Sequence, residues 1–209
     1  MERNIETLVK NQDLIVKRRE QIGDAALKLF SRKGYYQTSV REIAEASGLS
    51  IGSLYSYIKT KEDILYLVYQ RIFTSFQEGM AAAMEGIEDP ALQMKAALEA
   101  TLKIYDEFQD VVLLLYQESH ALGKKALLHL FEIDRRYVSI FRKIMEKGNQ
   151  KGQFRVRDPN LTAICILFLC AVWALKRWNL KGYSLEEVIQ DLTDLVLSGV
   201  MDDKEKGPI

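Results

Sequence analysis

The residues best suited to chemistry lie between positions 50 and 61, where hydroxyl groups, glycine and lysine occur close together. Small residues at the start of a short helix let its backbone approach a groove closely, and serine and tyrosine hydroxyls can bond to phosphate oxygens or base edges. The residues predicted to face outward from this short helix and the turn after it are Ser50, Gly52, Ser53, Tyr55, Ser56, Tyr57, Lys59 and Lys61. The combination indicates a surface for nucleic acid.

Lys61 adds a second indication, because it follows Thr60 in the first turn of the next predicted helix. A cation at that position opposes the helix dipole. A phosphate nearby would relieve the conflict, since the free amides of the helix and the lysine would then point at one anion. We therefore predict that Lys61 contacts a phosphate.

The elements that must position these side chains are two short helices joined by a turn within residues 39–58. The first begins with the capping-box pattern Ser39-Val40-Arg41-Glu42, and Ser50 can cap the second. Gly48 suits a turn that requires a positive φ. The predicted inward positions are small or apolar: Val40, Ile43, Ala44, Leu49, Leu54 and Ile58. This pattern is typical of a helix-turn-helix. An ordinary corner between two helices with a polar surface is the alternative.

Apolar residues recur at helical spacing along nearly the whole chain, and no run of strict alternation stands out. A first helix is predicted over 13–33, ended by Gly34. Later starts are marked by Asp89-Pro90, by Asp158-Pro159 and by the capping-box pattern Ser184 to Glu187. We predict an all-α fold of about nine helices, with an N-terminal three-helix head that contains the helix-turn-helix and a larger C-terminal helical domain.

The charge distribution separates the head from the rest of the chain. Lys+Arg and Asp+Glu are both 29, so the whole chain is not a general binder of polyanions. Residues 1–61 nevertheless carry a net charge of +4 and residues 62–209 a net charge of −4. Only the head is therefore expected to approach a negatively charged partner.

The cysteines and the N-terminus favour a cytoplasmic protein. Cys165 and Cys170 lie in an apolar run and form no C-x-x-C pair, which suits a reducing compartment. Residues 1–10 contain no apolar segment typical of a signal peptide. The longest apolar run, 161–175, has 15 residues, whereas a membrane span needs about 20. No membrane partner is expected.

That apolar run predicts a helix with two buried faces. A helix that is apolar around nearly its whole circumference needs a second partner. The final helix has its own apolar stripe, formed by Leu185, Val188, Ile189, Leu192, Leu195 and Val196. A surface outside the single chain would supply this partner. A central core helix in a monomer is the alternative.

Residues 62–200 contain no recognisable catalytic arrangement. There is no nucleophile with its base, no phosphate loop and no dinucleotide-binding fingerprint. The two histidines, His120 and His129, are nine positions apart and share no helix face for a metal. We expect no enzyme activity, metal or cofactor. A helical enzyme for a small apolar substrate and an architectural DNA-binding protein without an effector are the alternatives.

Residues of about 17–65 resemble the DNA-binding domain of the tetracycline-repressor (TetR) family. The resemblance covers about a quarter of the chain, in order and without gaps, and is most specific between positions 52 and 62. The matching stretches are Ala26-Leu27-Lys28-Leu29-Phe30, Lys33-Gly34-Tyr35, Thr38-Ser39-Val40-Arg41-Glu42-Ile43-Ala44, Gly48-Leu49-Ser50 and Gly52-Ser53-Leu54-Tyr55-Ser56-Tyr57-Ile58-Lys59-Thr60-Lys61-Glu62. Ile58 stands where phenylalanine is common in the family, and the change stays apolar.

The resemblance implies a repressor that binds a pseudo-palindromic double-stranded DNA operator as a homodimer. Two recognition helices would enter successive major grooves about 34–36 Å apart. Family positions on the second helix imply phosphate or base contacts for Ser39 and Arg41. Together with the outward face, they complete the predicted DNA contacts: Ser39, Arg41, Ser50, Gly52, Ser53, Tyr55, Ser56, Tyr57, Lys59 and Lys61.

The resemblance also implies a domain at 13–61 for DNA and a domain at 62–200 for effector binding and dimerisation. In the family, the last two long helices pair with their copies in a four-helix interface. The residues predicted for that interface are Leu161, Phe168, Val188, Leu192 and Leu195.

Family members usually keep an effector cavity in the larger domain. The aromatic residues predicted to line it are Phe73, Phe76, Tyr105, Phe108, Tyr116, Phe131, Phe141, Phe168 and Trp173. Aromatic residues and methionines with few buried charges suit an elongated lipophilic ligand. The resemblance points to members that regulate fatty-acid metabolism, and so to long-chain acyl-CoA. Another hydrophobic compound, such as a drug, is the alternative.

Overall fold

The computed structural model describes residues 5, 7, 9–118 and 124–202, with the backbone alone at 114, 115, 117, 118, 124–126, 129, 130 and 133. These residues contain one isolated antiparallel bridge, between Phe154 and Met201. They form nine helices: α1 (Gln12–Lys33), α2 (Val40–Ala46), α3 (Ile51–Tyr55), α4 (Lys61–Met84), α5 (Pro90–Glu107), α6 (Gln109–Glu118), α7 (Lys124–Gln150), α8 (Pro159–Leu175) and α9 (Leu185–Val200). The predicted all-α fold is confirmed.

The chain divides into two compact units. The first comprises residues 1–75 and 110–132, and the second comprises 76–109 and 133–209. Helix α4 contributes residues to both units, so its N-terminal part belongs to the first and its last turns belong to the second. The predicted division of function between residues 61 and 62 stays a prediction.

In the first unit, α1 packs on α2 and α2 packs on α3. The core is apolar because the inward positions repeat at helical spacing. It includes Ile22, Ala26, Phe30, Ile43, Ala44, Leu54, Ile58, Ile64 and Val68. Of the six predicted inward positions of the helix-turn-helix, four are buried, and Val40 and Leu49 are half-buried.

Local signals place the helix ends in the first unit. Asn11 caps α1 through its side chain, which accepts a hydrogen bond from the Leu14 amide. Ser39 and Glu42 form the predicted capping box, which satisfies amides that the first turn of α2 leaves without partners. Gly34 and Gly48 both have positive φ, at 85° and 66°. These two turns therefore need glycine at the positions where the sequence has it.

In the second unit, α5 packs on α8 and α9, and α8 packs on α9. The buried side chains include three methionines and two fully buried phenylalanines: Met80, Met94, Met145, Phe76 and Phe141. The loop after α7 is tied to the end of α9, because the Arg155 amide donates to the Val200 carbonyl at 2.8 Å. The second unit thus has a core of its own.

The described residues cover only one side of helix α8. Ala163, Ile166, Cys170 and Ala174 lie on the buried side. Its other side is apolar and exposed, so the predicted second buried face of this helix stays a prediction. Among the described residues, we find no helix with the length and apolar character needed to cross a membrane.

Candidate nucleic-acid interface

Helix α3 presents its N-terminal half to the outside. The Ser50 hydroxyl accepts a hydrogen bond from the Ser53 amide at 3.1 Å, and so caps the helix. Ser50, Ile51 and Gly52 are exposed, whereas Leu54 is fully buried and fixes the inner face. A short helix anchored by one leucine, with a small-residue N-terminus outside, can enter a groove with its backbone close to the groove floor.

Helix α2 lies before this helix and brings Arg41 to the surface, where its side chain is exposed. The helix start is closed by hydrogen bonds, because the Ser39 amide and hydroxyl both donate to Glu42 Oε2 at 2.8 Å. Lys33 also binds the Glu42 carboxylate. The hydrogen bonds from Lys33 and Ser39 lower the pKa of Glu42 to about 2. Glu42 is therefore ionised across the physiological range and stays part of the cap.

Lys61 is held by the turn between α1 and α2. Its Nζ donates to the Tyr35 carbonyl oxygen at 2.7 Å and lies 4.2 Å from the centroid of the Tyr35 ring. Burial lowers the pKa of Lys61, with Glu62 and Glu42 acting in the opposite direction. An ammonium group has three donors, so this contact leaves donors that could reach a phosphate. The predicted phosphate contact stays a prediction.

The turn after α3 differs from the sequence-based expectation at Tyr57. Helix α3 ends at Tyr55, so a helical projection no longer applies two residues later. Tyr57 is only 7% exposed, whereas Tyr55 is 46% exposed. Ser56 is half-buried and donates from its hydroxyl to the Gly52 carbonyl at 3.3 Å. A DNA contact by Tyr57 is therefore limited to a small part of its side chain.

The start of α4 is capped by the side chains of Thr60 and Asp63. The Asp63 carboxylate accepts hydrogen bonds from the amides of Lys59 and Thr60 at 2.9 and 3.0 Å. The Thr60 hydroxyl accepts in turn from the Asp63 amide at 3.2 Å. The Lys59 side chain is exposed. This cap holds the backbone between α3 and Lys61.

Two exposed side chains of this surface were not predicted from the sequence. Ile51 is 47% exposed at the first position of α3, and Tyr36 is 65% exposed beside Tyr35. An exposed isoleucine at the start of a recognition helix could contact a thymine methyl group. The sequence signal for Ile51 was its position between Ser50 and Gly52, both of which were predicted to contact DNA.

The residues predicted to line an effector cavity do not share one environment. Phe73, Phe76, Phe108 and Phe141 are buried. Tyr105 and Trp173 are half-buried, and Trp173 donates from Nε1 to Asp106 Oδ1 at 2.8 Å. The exposed members are Tyr116, Phe131 and Phe168. Phe73, Tyr116 and Phe131 belong to the first unit and the others to the second.

Neither histidine side chain is among the described residues. His120 lies outside them altogether, and His129 is described by its backbone alone.

The residues predicted for a dimer interface lie on one face of each of the last two helices. On α8, Leu161 and Phe168 are 57% and 55% exposed, with Ile164 exposed between them. On α9, Leu195 is 59% exposed, and Val188 and Leu192 are half-buried. Large apolar side chains exposed next to one another are typical of interaction surfaces, and the dimer interface at these residues stays a prediction.

Two family models match the chain. The model of "Bacterial regulatory proteins, tetR family" matches residues 22–66. The model of "Tetracyclin repressor-like, C-terminal domain" matches residues 88–200. The two matches together cover the recognition-helix region and most of the second half of the chain.

Named relatives agree with these matches. The HTH-type transcriptional regulator HbdR of Aromatoleum sp. (strain CIB) is 27% identical over 189 residues, which are 90% of this chain and 82% of that protein. The HTH-type transcriptional repressor KstR2 of Rhodococcus jostii (strain RHA1) is 26% identical over 190 residues, which are 88% of this chain and 91% of that protein.

A solved structure has the same fold. It is the transcriptional regulator FadR from Bacillus subtilis in complex with stearoyl-CoA, with a TM-score of 0.74 and 23% identity, over 86% of this chain and 97% of that one. The family matches cover more than half of the chain, and the protein therefore belongs to the TetR family of helix-turn-helix, DNA-binding transcriptional regulators.

Proposed function

We propose that the protein is a homodimeric repressor that is released from its operator by a long-chain acyl-CoA or a similar lipophile. The observation that carries the DNA-binding part is the exposed N-terminus of α3, where Ser50, Ile51 and Gly52 face outward while Leu54 anchors the helix. This end of the helix would lie in the major groove, which is the groove that distinguishes all base pairs.

The contacts divide into two kinds. Ser50, Ile51 and Ser53 are at the start of the recognition helix and would read base edges. Arg41 and Lys59 have exposed cationic side chains on either side of that helix and would bind phosphates, which position the protein without carrying sequence information. Ser39, Tyr55, Ser56, Tyr57 and Lys61 complete the proposed DNA contacts, and Gly52 would admit the sugar–phosphate backbone.

Two copies would associate through the exposed face of α8 and α9. Leu161, Phe168 and Leu195 are large, apolar and more than half exposed in the single chain. Covering them with their copies would remove apolar surface from water at about 25 cal/mol per Å². A symmetric pair would also place two recognition helices on one pseudo-palindromic operator.

The effector would bind in the second unit. Its core contains Phe76, Met80, Phe141 and Met145, all almost fully buried. Unbranched methionines adapt their shape, so a core of this composition can open for an acyl chain more easily than one of branched residues. The fold of FadR holds stearoyl-CoA in its solved complex, which supports an acyl chain of this kind. Drugs or other hydrophobic compounds are the competing effector class.

Helix α4 is suited to transmit the effect. Phe76 and Met80 lie in its C-terminal part, and Lys61 at its first position contacts the turn between α1 and α2 through the Tyr35 carbonyl. A ligand that displaces Phe76 would shift the helix axis and with it Lys61. The ligand can release DNA only if it binds the DNA-free conformation more tightly than the bound one.

Selection from a random-sequence DNA library tests the first part of this proposal. Purified wild-type protein should enrich a pseudo-palindromic duplex with half-sites about one helical turn apart. Arg41→Ala should weaken binding to the selected duplex and to unrelated DNA alike, and Ile51→Ala should weaken binding to the selected duplex more. Enrichment of no sequence, with binding governed only by salt, would contradict a sequence-specific repressor.

A further inference from the structure

The chain that precedes α1 contacts the end of the recognition helix. The Thr7 hydroxyl donates to the Ser56 carbonyl oxygen at 2.8 Å. Arg19 of α1 donates from Nε to the Tyr57 carbonyl oxygen at 3.1 Å and from its Nη2 to the Ile5 carbonyl oxygen at 2.6 Å. Ile5 is itself buried. We call Ile5, Thr7 and Arg19 the N-terminal clamp.

The end of α3 needs partners of this kind. The last carbonyl groups of a helix receive no amide donor from within the helix and need other donors. A cationic donor is especially suitable there, because the helix dipole is negative at its C-terminus. In this chain Ser56 is the C-cap of α3 and Tyr57 follows it. Their carbonyl groups receive donors from residues 49 and 38 positions away.

The short length of α3 makes these contacts important. The helix has five residues, whereas an isolated helix needs about 12–15 to be even marginally stable in water. Its conformation and direction must therefore be fixed by its surroundings. Leu54 anchors the inner face and Ser50 caps the start. At the far end, the clamp adds hydrogen bonds to the burial of Tyr57 and Ile58.

Arg19 is placed to position the helix rather than to bind DNA. Its side chain is half-buried and its guanidinium group already serves two carbonyl oxygens. Burial lowers the pKa of Arg19, and Asp63 and Tyr66 counteract this by favouring the charged form. The positive charge of Arg19 thus acts on carbonyl groups inside the first unit.

We propose that the N-terminal clamp is a positioning device for operator recognition, which sets the direction of α3 without touching DNA. The proposal rests on the proposed DNA-binding function. It makes the residues before α1 part of the DNA-reading unit, although they lie outside the residues that match the family model, 22–66.

The variant Thr7→Val tests the clamp with little risk to folding, because it keeps the side-chain shape and removes only the hydroxyl. The probe is the duplex that wild-type protein selects from a random library. Loss of this internal hydrogen bond should weaken binding at most about tenfold, because it acts only through the fraction of molecules in which α3 is ordered. The slope of log affinity against log salt should not change, since every phosphate stays bound. Amide hydrogen exchange at 54–58 should become faster.

Thr74→Val is the matched control. The Thr74 hydroxyl also donates to a backbone carbonyl, that of Gln70 at 3.1 Å, but within α4. This variant should bind the duplex as the wild type does. Arg19→Met should weaken binding more than Thr7→Val, and the double variant should lose less than the sum, because both residues hold one helix end.

Three outcomes distinguish a failure of the clamp proposal from a failure of the proposed DNA-binding function. Wild-type affinity for Thr7→Val, with unchanged amide exchange, would overturn the clamp while leaving the DNA-binding function intact. A salt slope reduced by about one in Arg19→Met would show that Arg19 neutralises a phosphate directly, and would also overturn a positioning role. Failure of the wild type to select any duplex would contradict the proposed function, and the clamp's role in DNA reading with it.

Discussion

The ring of Phe154 lies against Gly148 so closely that a β-carbon built on Gly148 would be 2.0 Å from Phe154 Cδ2. Gly148 is in the last turns of α7, and Phe154 follows in the loop, where it also bridges to Met201 after α9. The absence of a side chain at Gly148 therefore allows the loop to close over α7 and reach the end of α9.

We expect Gly148→Ala to destabilise the protein by about 1–3 kcal/mol, because the methyl group would overlap the buried ring. Thermal and urea unfolding measure the change. Gly199→Ala is the control, since Gly199 is also helical and nothing lies within 4 Å of the added carbon. It should be neutral or stabilising by up to about 1 kcal/mol. Adding Phe154→Leu to Gly148→Ala should recover part of the lost free energy of unfolding, because leucine is smaller than phenylalanine. No recovery would mean that the methyl group clashes with another residue.

The pH dependence of unfolding should report the capping box of α2. Hydrogen bonds from Lys33 and Ser39 lower the pKa of Glu42 from 4.5 to about 2. A carboxylate whose pKa is lower in the folded than in the unfolded protein stabilises the fold above its unfolded-state pKa. This stabilisation is lost as the pH falls through its folded-state pKa. The melting temperature of Glu42→Gln should thus lie below that of the wild type above pH 4.5, and the difference should disappear towards pH 2.

Glu187→Gln is a useful comparison, because among the described residues the pKa of Glu187 is lowered by the backbone and side chain of Ser184 and by no lysine. Its effect should therefore respond less to added salt than that of Glu42→Gln. A difference between wild type and Glu42→Gln that persists unchanged below pH 2 would mean that packing, not charge, causes it.

Replacing Lys61 by methionine should test its proposed phosphate contact. We expect weaker binding to specific and non-specific DNA alike, with a salt slope smaller by about one for each phosphate that the lysine no longer neutralises. Lys95→Met, which removes an exposed charge from α5, should leave the slope unchanged. Because the Lys61 ammonium also holds the Tyr35 carbonyl oxygen, lower affinity with an unchanged slope would assign Lys61 to that internal contact instead.

Tyr57→Phe should weaken binding to specific and non-specific DNA alike if the hydroxyl binds a phosphate. The loss should be small, about three- to tenfold, because little of the Tyr57 side chain is exposed. Tyr55→Phe is the comparison on the exposed neighbouring position. Fluorescence anisotropy with the selected duplex and with an unrelated one measures both. Full affinity in Tyr57→Phe would remove this tyrosine from the proposed contacts.

The dimer is best tested at Leu195. In the single chain its side chain is largely outside, so Leu195→Glu should leave the fold of each chain intact. In the proposed interface the charge would be buried without a partner, at a cost of several kcal/mol. Sedimentation should then show a folded monomer that binds operator weakly. The control is Leu92→Glu on α5, where the leucine is 57% exposed, and this variant should remain dimeric. A dimeric Leu195→Glu would place the interface elsewhere.

The effector proposal predicts a dependence on acyl-chain length. Each buried methylene group contributes about 0.8 kcal/mol, so release potency should rise about tenfold for every two carbons until the cavity is filled. A titration of the protein–operator complex with acyl-CoA of four to sixteen carbons measures this. CoA without an acyl chain is the control. Equal potency at both ends of the series, or no release, would contradict a lipophilic effector.

Features encoded by neighbouring residues could be predicted from the sequence. The capping boxes at Ser39 and Ser184 and the positive φ of Gly34 and Gly48 depend on a few adjacent positions. The buried Ala44 followed from the spacing of the helix-turn-helix. These signals were sufficient for the fold and for the location of the recognition helix.

Contacts between distant residues could not be predicted in the same way. The bond from Thr7 to Ser56 joins positions 49 apart, and that from Lys61 to Tyr35 joins positions 26 apart. Such pairs depend on how the helices pack, which a local pattern does not contain. The prediction for Tyr57 failed for a similar reason. An outward-facing Tyr57 assumed that the helix continues, but α3 ends at Tyr55, two residues earlier.

The five-residue length of α3 has a consequence for temperature. A helix this short has no stability of its own, so it is ordered only while its anchors at Ser50, Leu54, Ser56 and Tyr57 hold. Local opening can occur at a lower free-energy cost than global unfolding. The fraction of molecules able to bind operator should therefore fall on heating before the helical content does. The protein would then dissociate from DNA at a temperature at which most of the chain is still folded.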